Sequence, residues 1–207
     1  NMEGDFYVVA DMNEFIISPK STPTLTIRSE NYGRLQMESP NNRPGKSSRP
    51  STSLDGEILA YESTINGLSQ IELKMRNGGN SVFITNGNLS SYAPIVSADG
   101  RYIVFHSHAS NLVAGDTNNH VDVFRYSVYD GSIMRISTTS EGLNANGGSF
   151  YPAINGDGSR IVFESHATNL DTNKANTGKN LFLWKESSAT SFGSIQALTS
   201  GNGDSFD

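Results

Sequence analysis

Apolar and polar residues alternate in short runs along this chain, and no stretch sustains a helical period. The runs are four to eight residues long, rich in Ile, Val, Phe and Tyr, and bounded by Gly, Asn, Asp and Ser. Three segments superpose without gaps. They are Arg49-Pro50-Ser51-Thr52-Ser53-Leu54-Asp55-Gly56, Ala93-Pro94-Ile95-Val96-Ser97-Ala98-Asp99-Gly100 and Tyr151-Pro152-Ala153-Ile154-Asn155-Gly156-Asp157-Gly158, each followed by an apolar run. The spacing of roughly 45 to 60 residues is that of propeller blades. The second and third copies go on agreeing: Ser107-His108-Ala109-Ser110-Asn111-Leu112 matches Ser165-His166-Ala167-Thr168-Asn169-Leu170.

Each copy divides into four strands. The pattern predicts strands near 93–97, 101–106, 121–128 and 133–138, and again near 151–154, 159–164, 180–185 and 194–199. Asp-Gly supplies the tight turn between the first two strands, where glycine takes the positive φ. Pro50, Pro94 and Pro152 are read as starting the first strands, because proline has no N–H to give a ladder. The run Ile103-Val104-Phe105 predicts a strand buried on both faces, between neighbouring blades, and Tyr61, Phe105 and Phe163 are its equivalent aromatics. A diverged N-terminal copy places strands at Phe6-Val9, Phe15-Ile17, Leu25-Ile27 and Leu35-Met37, with a turn at Asp11-Met12-Asn13. The expectation is an all-β chain, a β-propeller of four-stranded antiparallel blades covering about 1–47, 48–91, 92–149 and 150–207. Four blades are few for a wide ring, and Gly203-Asp204-Ser205-Phe206 repeats the lead-in Gly147-Gly148-Ser149-Phe150. A six- to eight-bladed ring is therefore expected, completed by further sequence or by a second copy in a homo-oligomer.

The motif Pro-x-x-Ser-x-Asp-Gly, followed by a strand ending Phe105-His106-Ser107 and by Ala109-Ser110-Asn111-Leu112, resembles the WD40-like repeats of TolB-type propellers. The resemblance implies a bacterial periplasmic or extracellular propeller, commonly a protein-binding platform. The same repeats occur in propellers attached to serine peptidases and in some polysaccharide lyases. A non-catalytic module that binds a protein or peptide is the leading expectation. The alternatives are a carbohydrate-active lectin or lyase, or the regulatory propeller of a larger hydrolase.

Charge narrows the partners. The net charge is −6 and no basic cluster exceeds two residues, so a nucleic-acid partner is not expected. There is no cysteine, which removes disulfides and thiolate metal sites. No apolar run reaches the ~18 residues of a membrane span, and no signal-peptide pattern is visible.

No catalytic set stands out. Asp55, Asp99 and Asp157 recur in every copy and read as turn formers. There is no Gly-x-Ser-x-Gly elbow. Asp116, Asn118 and Asp122 have the spacing that opens a calcium loop, echoed by Asp171-Thr172-Asn173. But Val121 stands where that loop needs glycine, so no cofactor is expected beyond a calcium candidate. His108 and His166 are repeat-equivalent, and sheets about 10 Å apart would not let them share one ion. Each is expected to serve its own loop. Long loops at 107–120, 139–149 and 165–178 form one face, where binding residues are expected. Glu62, His106 and Glu164, at equivalent second-strand ends, are the ligand-binding candidates.

Overall fold

A computed structural model describes residues 6–10, 13–18, 24–29, 33–37, 46–78, 80–172, 178–187 and 192–199, with side chains from residue 46 onward. Asp11, Met12, Asn173 and residues 203–206, named above, lie outside the described residues. The described residues contain sixteen strands and no helix, so none is long and apolar enough to cross a membrane.

The strands form four antiparallel four-stranded sheets, each in sequence order. The first holds β1 (Phe6–Ala10), β2 (Asn13–Ser18), β3 (Thr24–Ser29) and β4 (Gly33–Met37). The second holds β5 (Ser47–Thr52), β6 (Ile58–Ile65), β7 (Leu68–Met75) and β8 (Val82–Phe83). The third holds β9 (Ser91–Val96), β10 (Tyr102–Ser107), β11 (Asp122–Ser127) and β12 (Ile133–Arg135). The fourth holds β13 (Ser149–Ile154), β14 (Arg160–Ser165), β15 (Asn180–Lys185) and β16 (Ser194–Ala197). These are the strands that the repeat predicts, with shorter fourth strands.

The second, third and fourth sheets stack through apolar seams. Ala60, Ile71 and Leu73 of the second sheet pack with Ile103, Phe105 and Phe124 of the third. Val104 and Val123 on the other face of the third pack with Ile161, Phe163 and Phe182 of the fourth. One strand thus serves two seams, because successive side chains point to opposite faces. Phe105 stacks on Phe124 at 5.7 Å, and the equivalent Phe163 on Phe182 at 5.9 Å. Tyr61 is buried as well, but it alternates with Ala60 and so faces away from the seam between the second and third sheets. The second strand's aromatic is buried in all three sheets, as the run of apolar residues predicts.

First strands meet first strands, β5 with β9 and β9 with β13, and so form the inner edge of the stack. Here one expectation is corrected. The prolines do not start these strands: Pro50, Pro94 and Pro152 are each the fourth residue of theirs. The pairing register shifts at each proline, between Ser48 and Ser51, between Val104 and His106, and between Phe150 and Ala153. The residue before each proline is left-handed, with φ of 49° at Arg49, 52° at Ala93 and 49° at Tyr151. A bulge needs no ladder hydrogen bond at its extra residue, so proline's missing donor costs nothing there.

The opposite end is tied by the Asp-Gly turns. Asp55, Asp99 and Asp157 each accept the backbone N–H two residues on, from Glu57, Arg101 and Ser159. The turns also link across sheets: the Leu54 N–H donates to the Ala98 carbonyl and the Asp99 N–H to the Gly156 carbonyl. Arg125, buried in the third sheet, crosses to the fourth. It lies over the Tyr102 ring at 4.2 Å and the Trp184 ring at 4.8 Å, and donates to the Gly158 carbonyl and to Glu186.

Candidate functional site

The inner strands begin at the long-loop face, and there the bulges gather aromatic side chains. In the third sheet Tyr92 of β9 meets the His106 ring at 5.9 Å and the His108 ring edge-on at 6.1 Å. The fourth sheet repeats the second contact, with Phe150 edge-on to His166 at 6.3 Å. His106 joins the two sheets, 6.0 Å from Phe150 and 5.4 Å from Tyr151. Phe150 and Tyr151 are 6.1 Å apart. Six rings thus run in one strip across two blades, at the centroid spacings that aromatic pairs prefer. Tyr151 is 64% exposed, Tyr92 and Phe150 are half-buried, and His108 and His166 are exposed.

An ion pair stands at each end of this rim. Glu62 is buried, and its carboxylate accepts from the Ser48 hydroxyl, from Arg49 and from the Ala93 N–H. The Arg49 side chain is 60% exposed while that of Glu62 is 8% exposed, so the pair shows solvent its positive half. At the other end Lys179 Nζ lies 3.3 Å from Glu164, whose strand partner is Phe150.

Two of the three ligand-binding candidates are coupled electrostatically here. Glu62 acts electrostatically on His106, whereas Glu164 is drawn to Lys179. Burial, with His108 and Arg49 nearby, pushes the His106 imidazole down to about 4 against the pull of Glu62. Its Nδ1 is buried without a hydrogen-bond partner. The His108 and His166 rings lie against Tyr92 and Phe150 of their own sheets, and their backbone N–H groups donate to the Ser90 and Gly148 carbonyls. The sequence reading missed Arg49, Tyr92, Phe150 and Tyr151. The signal was present, since Tyr92 and Phe150 both stand two residues before a repeat proline.

The calcium candidates also come together, around a guanidinium. Arg135 Nη1 is 3.0 Å from Asp116 and 3.8 Å from Asp122, and Asn118 donates to Asp122. Burial pushes both carboxyls up, against the attraction of Arg135. The close Arg135–Asp116 contact is not aligned as a hydrogen bond, and Arg135 Nε and Nη1 lack an acceptor. Arg135 thus supplies a positive charge within this carboxylate pair. Among the described residues no three His, Asp or Glu side chains are grouped to hold a metal. A cavity of about 280 Å³ opens between the long loops, lined by Thr139, Glu141, Leu143, Asp171 and Ile195 among others.

No family model matches the chain, and no curated protein does. Solved structures do. The putative TolB from Agrobacterium tumefaciens is 19% identical with a TM-score of 0.55, over 91% of this chain and 61% of that one. The chain has the TolB-like β-propeller fold. TolB from Acinetobacter baumannii aligns at 16% identity and TM-score 0.53, over 95% of this chain and 44% of that one. The tricorn protease aligns at 15% and 0.59, over 94% of this chain and 20% of that one. The chain therefore spans about three-fifths or less of these TolB-like propellers and a fifth of the protease. Identities this low speak for the fold alone.

Proposed function

We propose that the chain is a non-catalytic binding propeller of the bacterial cell envelope, and that it holds a protein or peptide on the aromatic rim at its long-loop face. The envelope location rests on the likeness to TolB propellers. The binding site rests on the rim itself, where Tyr151 is 64% exposed. Aromatic residues and arginine dominate binding energy at protein interfaces, and Arg49, Tyr92, Phe150 and Tyr151 stand together here. Inner strands fixed by two apolar seams form the rigid base on which such a surface works.

Selection of displayed random peptides against the protein tests this reading. Selected peptides are expected to lose roughly tenfold or more in affinity on Tyr151→Ala. A glycan array that yields ligands where peptide selection yields none would replace the partner with a carbohydrate.

A further inference from the structure

The rim restricts the shape of what it holds. An extended peptide could add to the inner edge as another strand, but that edge is interrupted. Each inner strand is bulged at its proline, which has no N–H, and the residue before it is left-handed. A strand added to any one of these edges would meet that strand's break, so no continuous ladder of main-chain bonds can form along it. A helix needs a continuous hydrophobic groove, whereas this rim interleaves its rings with polar imidazoles, hydroxyls and an exposed guanidinium. The third common mode fits: a polyproline II segment lays its ring faces on aromatic side chains and offers its carbonyls to nearby donors. Tyr92 and Tyr151 carry hydroxyls, and His108 and His166 carry imidazoles, along the strip. The charge at one end is also legible, since Arg49 is exposed there and its partner Glu62 is not.

We infer that the rim binds an extended, proline-containing peptide segment, with a proline seated on Tyr151 and an acidic residue toward Arg49. This rests on the reading of the rim as a peptide site and names the class of peptide. Tyr151 is the anchor, open beside the buried His106. The left-handed backbone that presents it is a strained conformation for a non-glycine residue, held by the sheet around it. Ala93 occupies the same backbone position in the preceding sheet at φ 52°, so Tyr151→Ala suits the fold.

Fluorescence anisotropy with three synthetic peptides tests this: one of the pattern acidic-x-Pro-x-x-Pro, one with both prolines replaced by Ala, and one with the acidic residue replaced by Lys. The first is expected to bind, the second roughly tenfold or more weakly, and the third several-fold more weakly, on the order of a single exposed charge contact. Tyr151→Ala should abolish binding of the first, Tyr151→Phe should retain most of it, and Arg49→Ala should erase the difference between first and third. Thermal melts of each variant establish that it is folded. If selected peptides need Tyr151 but bind equally well without proline, this inference fails and the peptide site stands. If no peptide from the selection or this series binds, and a neutral saccharide binds through Tyr151, both fail.

Discussion

Glu62 accepts the backbone N–H of Ala93 at 2.7 Å, joining the second strand of one sheet to the inner bulge of the next. The same carboxylate holds Ser48 and Arg49 of its own sheet, so one buried group secures two neighbouring bulges. Hydrogen bonds to a charged group are worth about 1.5–3 kcal/mol each, and removing the acceptor strands its donors. Glu62→Ala is expected to cost about 2–3 kcal/mol, and Glu62→Gln about half of that, by denaturant unfolding. Equal stability in all three proteins would mean that the bulges are held by something else.

The seams carry the fold. Phe105→Ala removes a fully buried ring stacked on Phe124 and leaves a cavity between two sheets. The expected loss is about 3–5 kcal/mol. A loss below about 1 kcal/mol in denaturant unfolding would show that the seam closes over the gap.

The turn aspartates respond to acid. The Ser159 hydroxyl and N–H, with Asn155, hold the Asp157 carboxyl down to about 2, from 3.8. A carboxyl lowered on folding adds stability above its unfolded value and loses it as pH falls toward its folded one. Asp157→Asn should therefore be less stable than wild type at pH 7, and the gap should close between about pH 4 and 2. Ligand affinity at pH 7 should not change. A variant that keeps its stability but loses binding would place Asp157 in the site instead.

His106 predicts a second window, at higher pH. Its imidazole falls from 6.5 to about 4 on folding, chiefly by burial. Above about pH 6.5 both states are neutral and nothing is lost. Between 6.5 and 4 the unfolded chain takes a proton that the folded one refuses, so stability falls by an amount on the order of 3 kcal/mol. In His106→Phe this component should be absent, so the difference between wild type and variant should change across that window. Parallel pH profiles would exclude His106 as its source.

The strands were legible because the chain repeats. Copies of the apolar run Ile103-Val104-Phe105 and of the Asp99-Gly100 turn fix the strands and both seams in sequence alone. The bulges were not legible. Proline at 94 fits either a strand start or a bulge by its missing N–H, and only the left-handed backbone of Ala93 decides between them. The rim was half legible. Glu62 and His106 stand at equivalent positions, and the charge of Glu62 acts on the His106 imidazole. Tyr151 does not repeat, since Arg49 and Ala93 hold its place in the other sheets, so no comparison of copies could single it out. Asp116 and Asp122 are calcium candidates by their spacing alone, and Arg135, their charged neighbour on β12, lies outside that motif and was not legible from it.

Site-specific photo-crosslinking tests the central claim most directly. A benzophenone amino acid is placed at His108, exposed on the rim, or at Tyr129, which is 96% exposed beyond the far end of β11. With a peptide chosen by selection against the wild-type protein, irradiation is expected to give an adduct at 108 and none at 129. An adduct at 129 alone, or equal labelling at both, would contradict a partner site on the aromatic rim.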